Sequence, residues 1–68
     1  MNKEQRLKHA LDLGIQVDDE DRWMLEDYLW HIRESDGHVV TLMPTDRGVR
    51  EIRLDNCVMG LYKLERKQ

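Results

Sequence analysis

Sixty-eight residues allow a single domain, residues 1–68, with a small core, because a chain this short buries only about 60% of its unfolded surface. With 37% charged and 40% hydrophobic residues it has the composition of a folded domain with a solvated surface, and its one cysteine, Cys57, excludes an intrachain disulfide. The net charge of −3 divides unevenly: five basic and ten acidic residues in 1–37 keep that half off a phosphate backbone, and six basic against four acidic in 38–68 leave a weak basic footprint.

No run approaches the ~20 apolar residues that span a bilayer. The opening Met1-Asn2-Lys3-Glu4-Gln5-Arg6 is too polar for a secretory signal. A cytoplasmic protein without membrane attachment is therefore expected. A core this small usually needs a staple, and with no disulfide available self-association is one way to bury more apolar surface.

The first element is a helix over about residues 3–13. Asn2 caps it, Gln5 completes a capping box, and Leu7, Ala10 and Leu11 form its apolar stripe. Gly14 stands where a left-handed C-terminal residue is needed, with Ile15 as its hydrophobic contact. The acids Asp18-Asp19-Glu20-Asp21 lack the alternating ligands, glycine and distal glutamate of a calcium loop, and read as the start of a second helix.

Residues 22–34 satisfy two periodicities. At helical spacing Met24, Leu25, Tyr28, Leu29 and Ile32 make one stripe, while Tyr28, Trp30 and Ile32 also alternate with Leu29, His31 and Arg33 ahead of a Ser35-Asp36-Gly37 turn. The helix fits more apolar residues over a longer window and is the expected state; a strand is the alternative. Three strands are then expected: His38–Met43 ending at Pro44, Val49–Leu54 after the turn Thr45-Asp46-Arg47-Gly48, and Cys57–Leu64 with Gly60 as a bulge. The expected fold is α+β, two N-terminal helices followed by a three-stranded antiparallel sheet. The alternative has one or two helices and a four-stranded meander.

Catalytic signals are weak. His9, His31, His38 and Cys57 match no zinc spacing, and there is no phosphate-binding glycine loop or nucleophile elbow. No enzyme activity, cofactor, metal or small-molecule substrate is expected. If 22–34 is helical, Trp23 and Trp30 lie opposite the apolar stripe beside Asp27 and Glu34, an exposed aromatic face suited to a protein partner or a homodimer. The second candidate surface is basic: Arg47, Arg50, Arg53, Lys63, Arg66 and Lys67, with Tyr62 as the stacking aromatic, for nucleic acid.

The stretch Asp46-Arg47-Gly48-Val49-Arg50-Glu51-Ile52-Arg53-Leu54-Asp55-Asn56 resembles the closing hairpin of Sm-like and SH3-like small barrels of bacterial regulators, among them the Rho-inhibiting Rof family, the WYL regulatory domains and the YolD-like proteins. That resemblance implies a non-catalytic binding module, a small regulatory protein of prokaryotic or phage type, and transfers no residue role. A complete barrel of this kind has about five strands.

Overall fold

A computed structural model describes residues 1–66. In chain order it contains α1 (Lys3–Asp12), a 3-10 turn (Asp19–Asp21) running into α2 (Arg22–Asp27), β1 (His31–Ile32), β2 (Val39–Thr45), β3 (Gly48–Arg53) and α3 (Leu54–Val58). The class is α+β with a three-stranded antiparallel sheet, strand order β1-β2-β3.

Both ends of α1 follow from local chemistry. The Asn2 side chain accepts from the Gln5 amide at 2.9 Å, and the Asn2 amide donates to the Gln5 side chain at 3.0 Å, so two amides without helical partners are satisfied reciprocally. At the other end Gly14 adopts φ +82°, its amide donates to the Leu11 carbonyl, and the Ile15 amide donates to the Ala10 carbonyl. This is a Schellman stop, and its two hydrophobic partners, Ala10 and Ile15, are both buried.

The expected long second helix is corrected to two elements. Helical backbone ends at Asp27, and Tyr28 is extended at φ −128°, ψ 147°. Met24, Leu25 and Tyr28 of the proposed stripe are buried, whereas Leu29 and Ile32 are exposed. The break is stabilised by side chains that reach carbonyls a longer helix would have used. The Trp30 indole donates to the Met24 carbonyl at 2.9 Å, Arg6 Nε donates to the Glu26 carbonyl, and the Thr41 hydroxyl donates to the Leu29 carbonyl at 2.7 Å. His9 Nε2 lies 3.0 Å from the Trp30 carbonyl; a carbonyl only accepts, so this ring nitrogen carries the proton. Three of these four donors or acceptor pairs come from residues ten or more positions away, which no local window reveals.

β1 then pairs with β2 (His31↔Val40, Ile32↔Val39) across a turn built by Asp36 and Gly37. The Asp36 carboxylate accepts from the His38 amide, and Gly37 takes φ +75°. β2 pairs with β3 from Val40↔Arg53 to Thr45↔Gly48. Directly opposed residues share a face, so Thr41, Met43, Arg50 and Ile52 lie on one side and Val40, Leu42, Pro44, Val49, Glu51 and Arg53 on the other.

The expected third strand at 57–64 is corrected as well. Leu54–Val58 is a short helix, Gly60 at φ +80° ends it, and residues 61–66 follow without regular structure. The Gly60 amide donates to the Cys57 carbonyl and the Leu61 amide to the Asn56 carbonyl, the same Schellman pattern that closes α1. Gly60 is therefore a helix stop and not a bulge.

α1 packs on α2, and α3 packs on β2 and β3. Trp30, Leu25, Val40 and Thr41 are the largest fully buried side chains. The irregular C-terminal stretch is anchored by buried Leu64 and by the Tyr28 hydroxyl, which donates to the Glu65 carbonyl at 2.7 Å. Among the described residues no helix is long and apolar enough to cross a membrane.

Candidate functional site

The four residues expected to form an aromatic interface are not presented together. Trp30 lies beyond α2 and is 0% exposed, the reverse of the exposed position a continuous helix would have given it. Asp27 is 4% exposed, with Lys3 Nζ at 3.6 Å. Trp23 is half-buried against the core, and the Arg66 guanidinium lies 5.1 Å from its ring centre. Glu34 is exposed in the β1–β2 turn.

The basic set is also dispersed. Arg53 makes a two-pronged ion pair with Asp55, which spends its charge locally. Arg66 is on Trp23, and Lys67 lies outside the described residues. Arg47 sits at the β2–β3 turn, and Arg50 lies over Tyr62, 5.7 Å from the ring centre. Lys63 lines a small cleft with Tyr62 and Met43, close to Arg50 through the Met43↔Arg50 pairing.

A charge lattice occupies the His31 end of the sheet. Arg33 forms a two-pronged pair with Asp36 and reaches Glu51 at 3.6 Å. His38 Nε2 is 4.0 Å from Asp36. The Arg33 hydrogen bonds hold the Asp36 carboxyl well below the usual carboxylate range, and the Arg53 hydrogen bonds lower Asp55 in the same way. The buried Val40 shares this face of the sheet with Glu51 and Arg53.

Beside it lies an apolar groove of about 410 Å³, lined by Val17, Val39, Leu54, Val58 and Met59, with Gln16, His38 and Asp55 at its border. It continues past Val17 and Val58 to Asp18. α3 positions Val58 and Met59: one and a half turns starting directly from β3 bury Leu54 and Cys57 and leave the next two side chains outward. Met59 is 64% exposed and Leu61 74%. The groove is hidden in the sequence because the composition of 57–64 suits a strand; the local signal for α3 is Gly60 followed by Leu61, the same pattern as Gly14-Ile15.

Cys57 is buried, and burial first, then the charge of Asp55, pushes its thiol up and away from the reactive thiolate. Among the described residues no three His, Cys, Asp or Glu side chains are gathered to hold a metal ion.

No family model, curated protein or solved structure matches this chain. The likeness of Asp46–Asn56 to small-barrel hairpins therefore stands on that stretch alone.

Proposed function

We propose that this is a non-catalytic interaction protein that binds another polypeptide through the Val17/Val39/Leu54/Val58/Met59 groove. The observation that carries this is the groove itself: five apolar side chains border one concavity, and Met59 and Val58 remain exposed on its wall. An apolar concavity with a polar border is what a protein segment fills, with affinity coming from the few side chains that become fully desolvated. The regulatory role is the part carried only by the resemblance of residues 46–56.

A photo-crosslinking side chain at position 59 tests this. We expect a polypeptide adduct in cells from position 59 and none from position 8 on α1, whose Lys8 is also exposed. No adduct at 59 would refute the proposal.

A nucleic-acid role is the second reading, favoured by Arg50 and Lys63 beside Tyr62, with Arg47 at the β2–β3 turn. Arg53 is already paired with Asp55, so the patch is smaller than the sequence implied. Any affinity from this patch should fall steeply with salt and be removed by Arg47→Ala with Arg50→Ala. Absence of binding to single-stranded or duplex probes at low salt counts against it.

A further inference from the structure

We infer that the free edge of β3 is a self-association site, where a second copy of this chain pairs antiparallel about a two-fold axis at Ile52. The register of the β2–β3 hairpin shows which backbone groups that edge offers. Pro44 opposes Val49 and has no N–H, so these two residues cannot exchange the reciprocal bonds of a hydrogen-bonded pair. Bonded and non-bonded pairs alternate along an antiparallel ladder. Gly48, Arg50 and Ile52 therefore bond to β2, and the amides and carbonyls of Val49, Glu51 and Arg53 point the other way. Among the described residues no strand lies beyond β3, and no backbone hydrogen bond from a turn or loop reaches those three residues. Gly48 to Glu51 are exposed. No residue of β3 lines the groove, so this is a separate surface.

A row of free edge groups is a template for another strand, and charged side chains ordinarily guard it. Here the charges leave one symmetric register open. A two-fold axis at Arg50, Glu51 or Arg53 opposes that residue to its own copy, like charge to like. An axis at Val49 falls at the hairpin tip, with only Gly48 between it and the turn. An axis at Ile52 opposes Ile52 to itself as a close apolar pair, and sets Glu51 against the partner's Arg53 and Arg53 against the partner's Glu51. These charged pairs are also the hydrogen-bonded ones, because their backbone groups face the edge. Their side chains keep an atom for the contact: Arg53 holds Asp55 with Nε and Nη2, leaving Nη1, and Glu51 meets Arg33 through Oε1, leaving Oε2. The joined sheet runs β1-β2-β3-β3-β2-β1. Its outer edges are the two-residue β1 strands, too short to recruit further copies, so the assembly closes as a dimer.

Sedimentation equilibrium with amide hydrogen exchange tests this. The wild-type chain should approach twice its 8.2 kDa mass as concentration rises. Over the same range exchange at the Glu51 and Arg53 amides should slow by about tenfold or more, while the Val49 amide, outside the paired stretch, stays fast. Glu51→Arg and Arg53→Glu should each weaken association by about tenfold or more, since each opposes like charges. An equimolar mixture of the two should associate again, because every opposed pair is then unlike. Both substitutions also break ion pairs within one copy. The same loss is therefore expected of a synthetic chain N-methylated at the Glu51 amide, which keeps every side chain and every hairpin bond. A wild-type chain that stays monomeric at about 1 mM, a concentration that reveals even weak complexes, overturns the inference. So does a dimer whose Glu51 and Arg53 amides exchange as in the monomer, or one that protects Val49 along with them, which marks an axis at Glu51. An N-methylated chain that associates like wild type overturns it too, as does a mixture that stays monomeric while both charge variants keep the wild-type circular dichroism spectrum.

Discussion

The Trp30 indole is enclosed on all sides and also donates to the Met24 carbonyl, so its removal deletes both packing and a buried hydrogen bond. Trp30→Ala should cost about 3–5 kcal/mol, most of what a domain this small has to spare, and urea denaturation should find the variant largely unfolded at 25 °C. Trp30→Phe keeps a ring but not the N–H, and should lose about 1–3 kcal/mol while retaining a cooperative transition. At Asp36 and Asp55 the folded-state pKa lies below the ordinary value of 3.8. The sign follows: their ion pairs contribute fully above about pH 4, and the contribution is lost as pH falls through the depressed folded-state values. An Asp36→Asn/Asp55→Asn double variant should therefore lose stability at neutral pH and show a flatter acid limb in pH-dependent melting. Both pairs lie at the surface, so added salt should shrink the difference. Cys57 should resist alkylation until the chain is unfolded, which thiol labelling with and without denaturant measures.

At the scale of elements, Gly14 and Gly60 do the same work. Each takes a left-handed conformation just past a helix and lets two amides close on the last turn. The first was legible because Leu7, Ala10 and Leu11 before it have only helical periodicity. The second was not, because Cys57 to Leu64 is a short, mostly apolar run of strand length and α3 is too short for a helical repeat to register. Gly60→Val separates the two structures: it would help a strand but places a β-branched residue at φ +80° in this fold. A loss of about 1–2 kcal/mol is expected, seen as a fall in Tm of several degrees for a domain of this length. Residues 22–34 contain both elements their two periodicities described. The helix ends after Asp27 and the strand begins at His31, so neither single state accounts for the segment.

For the whole molecule, the groove exists only because α3 turns back against β2 while the chain between α1 and α2 passes Val17 alongside Val39. Its lining comes from four separate stretches of sequence, so no motif spells it.

Local chemistry was sufficient for the α+β class, the capping box and Schellman stop of α1, and the turns at Asp36-Gly37 and Asp46-Arg47, since each depends on residues within a few positions of one another. Tertiary structure decided the rest. Trp30, His9, Arg6 and Thr41 reach across the chain to the carbonyls around the end of α2, and that turns a plausible long helix into a helix and a strand. It buries the aromatic side chain that sequence had placed outside, and moves the exposed apolar surface to the Val58-Met59 wall of the groove.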